Sequence, residues 1–195
     1  MKLTLLLAVA LLLSFTGIES PVDRLGVKGP LTFDKTHFKL AWTAKPNEKY
    51  YIQEYLPDGE TVEAFHQMLT LHLFDTEVPV EDAVKVKVKE LTQRKQTDPI
   101  CNYSITESPD QKEFIVDFLL GASKGDHMTI VEFNIYRYRQ IDSGAGRKAL
   151  LIFAYSNRAY EDEITPFLSA LGDRRMKFLN QVIEAEMPSV RIEGN

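Results

Sequence analysis

One cysteine in 195 residues, Cys101, leaves the chain unable to close an internal disulfide, so burial must supply its stability. Cys101 sits between Ile100 and Asn102 at a strand start and reads as a small buried apolar residue. The signatures of common chemistries are also missing: there is no Gly-x-Ser-x-Gly elbow, no His-Glu-x-x-His helix and no Walker loop. Histidines number four. His66, His72 and Asp75 have the residue types of a metal set. Along an extended strand, however, His66 and His72 would stand about 20 Å apart, which rules out a shared ion, so no metal site is expected. His37 and His127 are isolated. With 23 basic against 28 acidic side chains and a net charge of -5, the overall field attracts neither nucleic acid nor anionic lipid. A membrane-spanning stretch is lacking as well, because the apolar run over residues 3–15 falls short of the roughly 20 residues a bilayer requires.

That short run is nevertheless the most directive feature of the N-terminus. Lys2 precedes it, and Thr16, Gly17 and Ser20 follow, which is the shape of a secretory signal. Residues 1–20 are therefore expected to be a signal peptide, with the mature chain exported to the periplasm or beyond. Residues 21–36 carry Pro21, Gly26, Gly29 and Pro30 without periodicity and read as a linker or N-terminal arm. Residues 37–187 form one α+β domain in this reading, followed by a tail over 188–195.

Within the domain, Phe38-Lys39-Leu40-Ala41-Trp42 alternates apolar and polar before Lys45-Pro46-Asn47, as in a strand entering a turn. A second strand spans 49–56, stopped by Pro57-Asp58-Gly59, and a third spans 68–74. After Pro79, two patterns compete. Val84-Lys85-Val86-Lys87-Val88-Lys89 alternates like a strand, while Val80, Val84, Val88 and Leu91 share a helical face. Early acids (Glu81, Asp82) and late bases (Arg94, Lys95) favour a helix over 80–96. Four strands follow at 101–107, 113–120, 128–141 and 149–155, joined by turns too short for parallel crossovers. The stretch Ser143-Gly144-Ala145-Gly146-Arg147 reads as a hairpin turn, not a phosphate cradle. A last helix over 165–186 opens on Thr165 and Pro166 and has a weak point at Gly172-Asp173.

The expected fold is an antiparallel β-sheet of about six to seven strands covered by two helices, in the order βββα ββββα. That order resembles the PsbP/Mog1-type α+β sandwich. The stretch from Glu54-Tyr55-Leu56-Pro57 through Met68-Leu69-Thr70 resembles a segment of uncharacterised exported bacterial proteins. The resemblance carries no catalytic motif and no cofactor, and it implies a binding or accessory role.

The residues best suited to binding lie on the strand over 128–141. Glu132, Asn134, Tyr136 and Tyr138 share one face, and Val131, Phe133 and Ile135 share the other. Tyrosine supplies apolar area and one hydroxyl, Arg137 and Arg139 offer anion contacts from the opposite face, and Tyr51 and Tyr55 would extend the aromatic surface if their strand lies alongside. The functional expectation is an exported, non-catalytic module that binds a protein or a small molecule. The alternatives are a cofactor-free hydrolase whose site assembles only in the fold, and a structural subunit of an envelope or secretion assembly.

Overall fold

The computed structural model describes residues 20–27, 29–143 and 146–192. The signal-peptide expectation and residues 144–145 of the turn lie outside them, apart from Ser20. The elements are β1 (Leu31–Phe33), β2 (Thr36–Asn47), β3 (Tyr50–Leu56), β4 (Gln67–Phe74), α1 (Val80–Arg94), β5 (Asn102–Glu107), β6 (Glu113–Lys124), β7 (His127–Asp142), β8 (Lys148–Tyr160) and α2 (Ile164–Glu184). All eight strands form one antiparallel sheet in the order β1-β2-β3-β4-β8-β7-β6-β5. The two helices lie on opposite faces. The α+β class and the two helices agree with the sequence reading, and the strand count is larger: β1 lies in the stretch read as an arm.

That arm is held by tertiary contacts. Leu25 and Val27 are buried. The Gln53 carboxamide oxygen accepts the backbone N–H groups of Arg24 (2.6 Å) and Leu25 (3.1 Å), and its amide donates to the Tyr55 hydroxyl. The tail is docked to the same segment, with Arg191 N–H donating to Leu25 O at 2.8 Å and Val190 buried.

The ambiguous segment after Pro79 is helical, with Val84 and Leu91 on its buried side. Proline at the entry, acids in the first turn and an apolar face of helical spacing outweigh the Val-Lys alternation. The loop after α1 closes tightly on the sheet. Buried Asp98 accepts Gly121 N–H at 2.7 Å, and a Cβ at Gly121 would lie 3.0 Å from Ile100.

The second helix departs from expectation at its start and at Gly172. It begins at Ile164 after a 3-10 turn, Glu161–Glu163, whose three acids complement the helix N-terminus. It passes Gly172 without a break. Its buried face, Leu171, Phe178, Leu179 and Val182, packs on Phe133, Ile135, Leu151, Phe153 and Tyr155. At its far end Arg137 donates to the carbonyls of Val182, Ile183 and Ala185 at 2.9 to 3.0 Å while pairing with Glu113 at 2.6 Å. Arg137 is thus a helix cap, and not the anion contact that the sequence suggested. No described helix is long and apolar enough to cross a membrane.

Candidate functional site

Strand parity and register determine which side chains share the α1 face. Tyr50, Ile52 and Glu54 of β3 alternate with Tyr51, Gln53 and Tyr55, and the second set belongs to the α2 side. The pairings carry the first set across the sheet as rows: Tyr50, Phe74, Leu150; then Ile52, His72, Ile152, Tyr138; then Glu54, Thr70, Ala154, Tyr136; then Met68, Ser156, Asn134. Small side chains at Thr70, Ala154 and Ser156 occupy the middle of this array, and larger ones surround it. Helix α1 packs over β5, β6 and β7, leaving the β3 and β4 side open. The result is a groove.

Its apolar end, a space of about 380 Å³, is lined by Tyr50, Phe74, Val78, Val86, Tyr136 and Ile152, among others, with Lys87 and Glu90 at the helix edge. A smaller polar space of about 200 Å³ adjoins it, lined by Glu54, Thr70, Glu132, Asn134, Ser156 and Arg158 among others. His72 and Tyr136 border both spaces. A larger hollow of about 890 Å³ beside the β5–β6 turn has lysine, arginine and carboxylates intermixed along it and no buried polar group directed into it.

Three buried polar atoms along the groove have no protein partner among the described residues: His72 Nε2, Asn134 Nδ2 and the Tyr138 hydroxyl. Two more, on Thr43 and Gln181, belong to β2 and α2. Asn134 is 2% and Tyr138 1% exposed, so bulk water does not satisfy them. Leaving such a group unpaired costs about 1–3 kcal/mol, and three together point to a face arranged for something other than stability. The Tyr50 hydroxyl engages His72 Nδ1 at 2.9 Å, leaving Nε2 as the ring's remaining polar atom. Burial and the nearby Lys87 charge push the His72 pKa down to about 4, so the imidazole is neutral at pH 7. Burial raises the Tyr136 and Tyr138 phenols above their ordinary range, and they stay protonated.

The charges at the polar end are unequally matched. Arg158 contacts Glu132 through Nε (2.7 Å) and Nη2 (2.6 Å) and stacks 3.8 Å from the Phe65 ring centroid. Lys87 pairs with Glu90 at 2.9 Å and lies 5.2 Å from the Tyr136 ring centroid. Glu54 makes no ion pair within contact distance, and burial holds its carboxyl above the usual range, with Arg158 opposing that shift. Ser156 Oγ donates to Asn134 Oδ1 at 2.6 Å, so its hydroxyl is not directed to His72.

Of the residues singled out from sequence, Glu132, Asn134, Tyr136 and Tyr138 come together along this groove. Tyr51 and Tyr55 do not join them, because odd positions of β3 face α2, where both are buried. His72, weighed from sequence only as a metal ligand, completes the site with Glu54 and Arg158, which were not singled out. No chosen residue shared their strand faces: Tyr51 and Tyr55 alternate opposite to Glu54, and only the cross-strand register sets Arg158 opposite Glu132 and His72 in the row of Tyr138. His66 is half exposed in the loop before β4, 3.6 Å from Glu60 and 3.4 Å from Glu163. No group of three His, Cys, Asp or Glu among the described residues can hold a metal. Burial raises the Cys101 thiol, whose Sγ lies 3.6 Å from Leu91 O.

The fold and groove define an α+β protein with one antiparallel sheet between two helices and a ligand-sized trough on the half-covered face. The chain belongs to an uncharacterised family whose model matches residues 25–187. No curated protein and no solved structure matches the chain.

Proposed function

We propose that the chain is a non-catalytic binding module that takes a small amphipathic molecule into the groove between α1 and the β3–β4 side of the sheet. The observation that carries this reading is the convergence of three unpartnered buried polar atoms on a trough with an apolar end. A ligand that meets those atoms removes their desolvation cost, and the apolar wall supplies affinity. Within the groove Ser156 bonds Asn134 and His72 bonds Tyr50, so these two side chains are not paired as nucleophile and base. Export and the PsbP/Mog1-type likeness are part of the same proposal. The first rests on the leader shape of residues 1–20, and the second is supported by two helices on one antiparallel sheet. A docked protein is the second reading, favoured by Trp42, which is 41% exposed and pairs with Glu54 at the groove's outer side.

The test is titration with the neutral apolar fluorophore N-phenyl-1-naphthylamine. The expected result is a saturable rise in emission that Val86→Glu, an exposed substitution on the groove wall, weakens and Val22→Glu, an exposed substitution elsewhere, leaves unchanged. Equal binding by both variants, or none by the unmodified protein, overturns the reading.

A further inference from the structure

The chemistry of the ligand follows from the donors and acceptors left over in the groove, and it rests on the binding reading above. Positive charge in the lining is already matched: Arg158 is held by Glu132 through two nitrogens, and Lys87 is held by Glu90. An anionic head would have to compete with these carboxylates for the two cations. Negative charge is left over at Glu54, which lies in the same row as Thr70, Ala154 and Tyr136 and faces the polar end without an ion-pair partner in contact. A carboxylate half withdrawn from water favours an arriving cation.

Asn134 adds a second requirement. Its Oδ1 is occupied by the Ser156 hydroxyl, so Nδ2 is what remains, and an amide nitrogen only donates. The ligand head must therefore carry an acceptor beside its positive donor. Beyond the head, Tyr50 and Phe74 are stacked at 4.4 Å between centroids, 6° from coplanar, and Val86 and Ile152 continue the apolar wall. A flat or branched apolar body fits that wall.

We propose that the groove binds a protonated amine that also carries a hydrogen-bond acceptor and an aromatic or branched aliphatic body, with the ammonium at Glu54 and the acceptor at Asn134 Nδ2. An amino alcohol is the simplest member of that class. Bulk charge complementarity agrees, since the protein is acidic overall.

Three probes with the same phenyl body separate the possibilities: phenylalaninol (cation with hydroxyl), N-acetylphenylalaninol (neutral) and 3-phenylpropionate (anion). Isothermal titration and amide chemical shifts of Thr70, His72, Tyr136 and Ser156 are the readouts. Phenylalaninol is expected to bind about tenfold or more tightly than either analogue, the size of one charge-assisted contact, and to lose that advantage in Glu54→Gln. If the neutral or anionic probe binds as well, or if Glu54→Gln leaves the preference intact, the amine assignment is overturned. If phenylalaninol fails while N-phenyl-1-naphthylamine binds, the amine assignment alone falls; if both fail, the binding reading falls with it.

Discussion

On the α2 face, Phe133, Tyr155 and Phe178 interlock, with Phe178 at 6.3 Å from Phe133 and 5.7 Å from Tyr155 between ring centroids. The buried Asp117 carboxylate there receives both Nε and Nη2 of Arg175 at 2.7 to 2.8 Å. On the α1 face of the same strands, Thr70, Ala154 and Ser156 leave a trough, and Asn134, Tyr138 and His72 keep polar atoms unmatched. Adjacent residues of one strand thus serve opposite ends: Tyr155 fills space and Ser156 leaves it. One face holds the fold and the other forgoes part of the available stability. That division is typical of proteins whose sites are less stable than their scaffolds.

The comparison can be broken by substitutions on either side. Phe178→Ala, removing a side chain only 5% exposed, should lower unfolding free energy by about 4 kcal/mol in urea titrations. A loss below about 1 kcal/mol would show that the α2 face is not the scaffold.

Acid should act through the groove. The neutral His72 has its pKa lowered from 6.5 to about 4, so the folded state binds fewer protons than the unfolded chain across that interval. The contribution is complete above pH 6.5 and is lost as pH falls through about 4, amounting to about 3 kcal/mol in all. The facing groups are Tyr50 and Glu54 on β3, Lys87 and Glu90 on α1, Glu132, Tyr136 and Tyr138 on β7, and Arg158 on β8. Replacing His72 by Phe should flatten the stability profile between pH 6.5 and 4, and an unchanged slope would assign the acid loss elsewhere.

Arg137→Leu should cost about 2 kcal/mol, since it unties Glu113 and leaves the last carbonyls of α2 without their donor. Amide exchange is expected to rise first in the final turn of α2. Exchange unchanged there would remove Arg137 as the cap. The smallest effect has the opposite sign. Tyr138→Phe deletes a buried hydroxyl with no partner and should stabilise by up to about 1 kcal/mol, whereas destabilisation would reveal a hydrogen bond that the groove supplies.

Periodicity made much of this architecture legible. Alternation over 128–141 placed Glu132, Asn134, Tyr136 and Tyr138 on one side because a strand offers only two. The helix after Pro79 was readable from charge order despite the Val-Lys alternation. Three features were not local. The strand Leu31–Phe33 is too short for a period to show, and Leu25 is buried because Gln53, 28 residues later, accepts its N–H. The side of the sheet that Tyr51 and Tyr55 would take depended on the register linking β3 through β4 and β8 to β7, which no single segment encodes. Glu54 and Arg158 carry no local signal, since the unequal matching that marks them arises only when Glu132 lies beside Arg158.

The contact between Leu25 and Arg191 has a consequence for orientation. The segments that flank the sheet are fastened among residues packed on the α2 side, with Leu25, Val27 and Val190 sharing the cluster that contains Phe178. The described chain therefore closes on itself at the back of the sheet, and the trough on the other face is free of that closure.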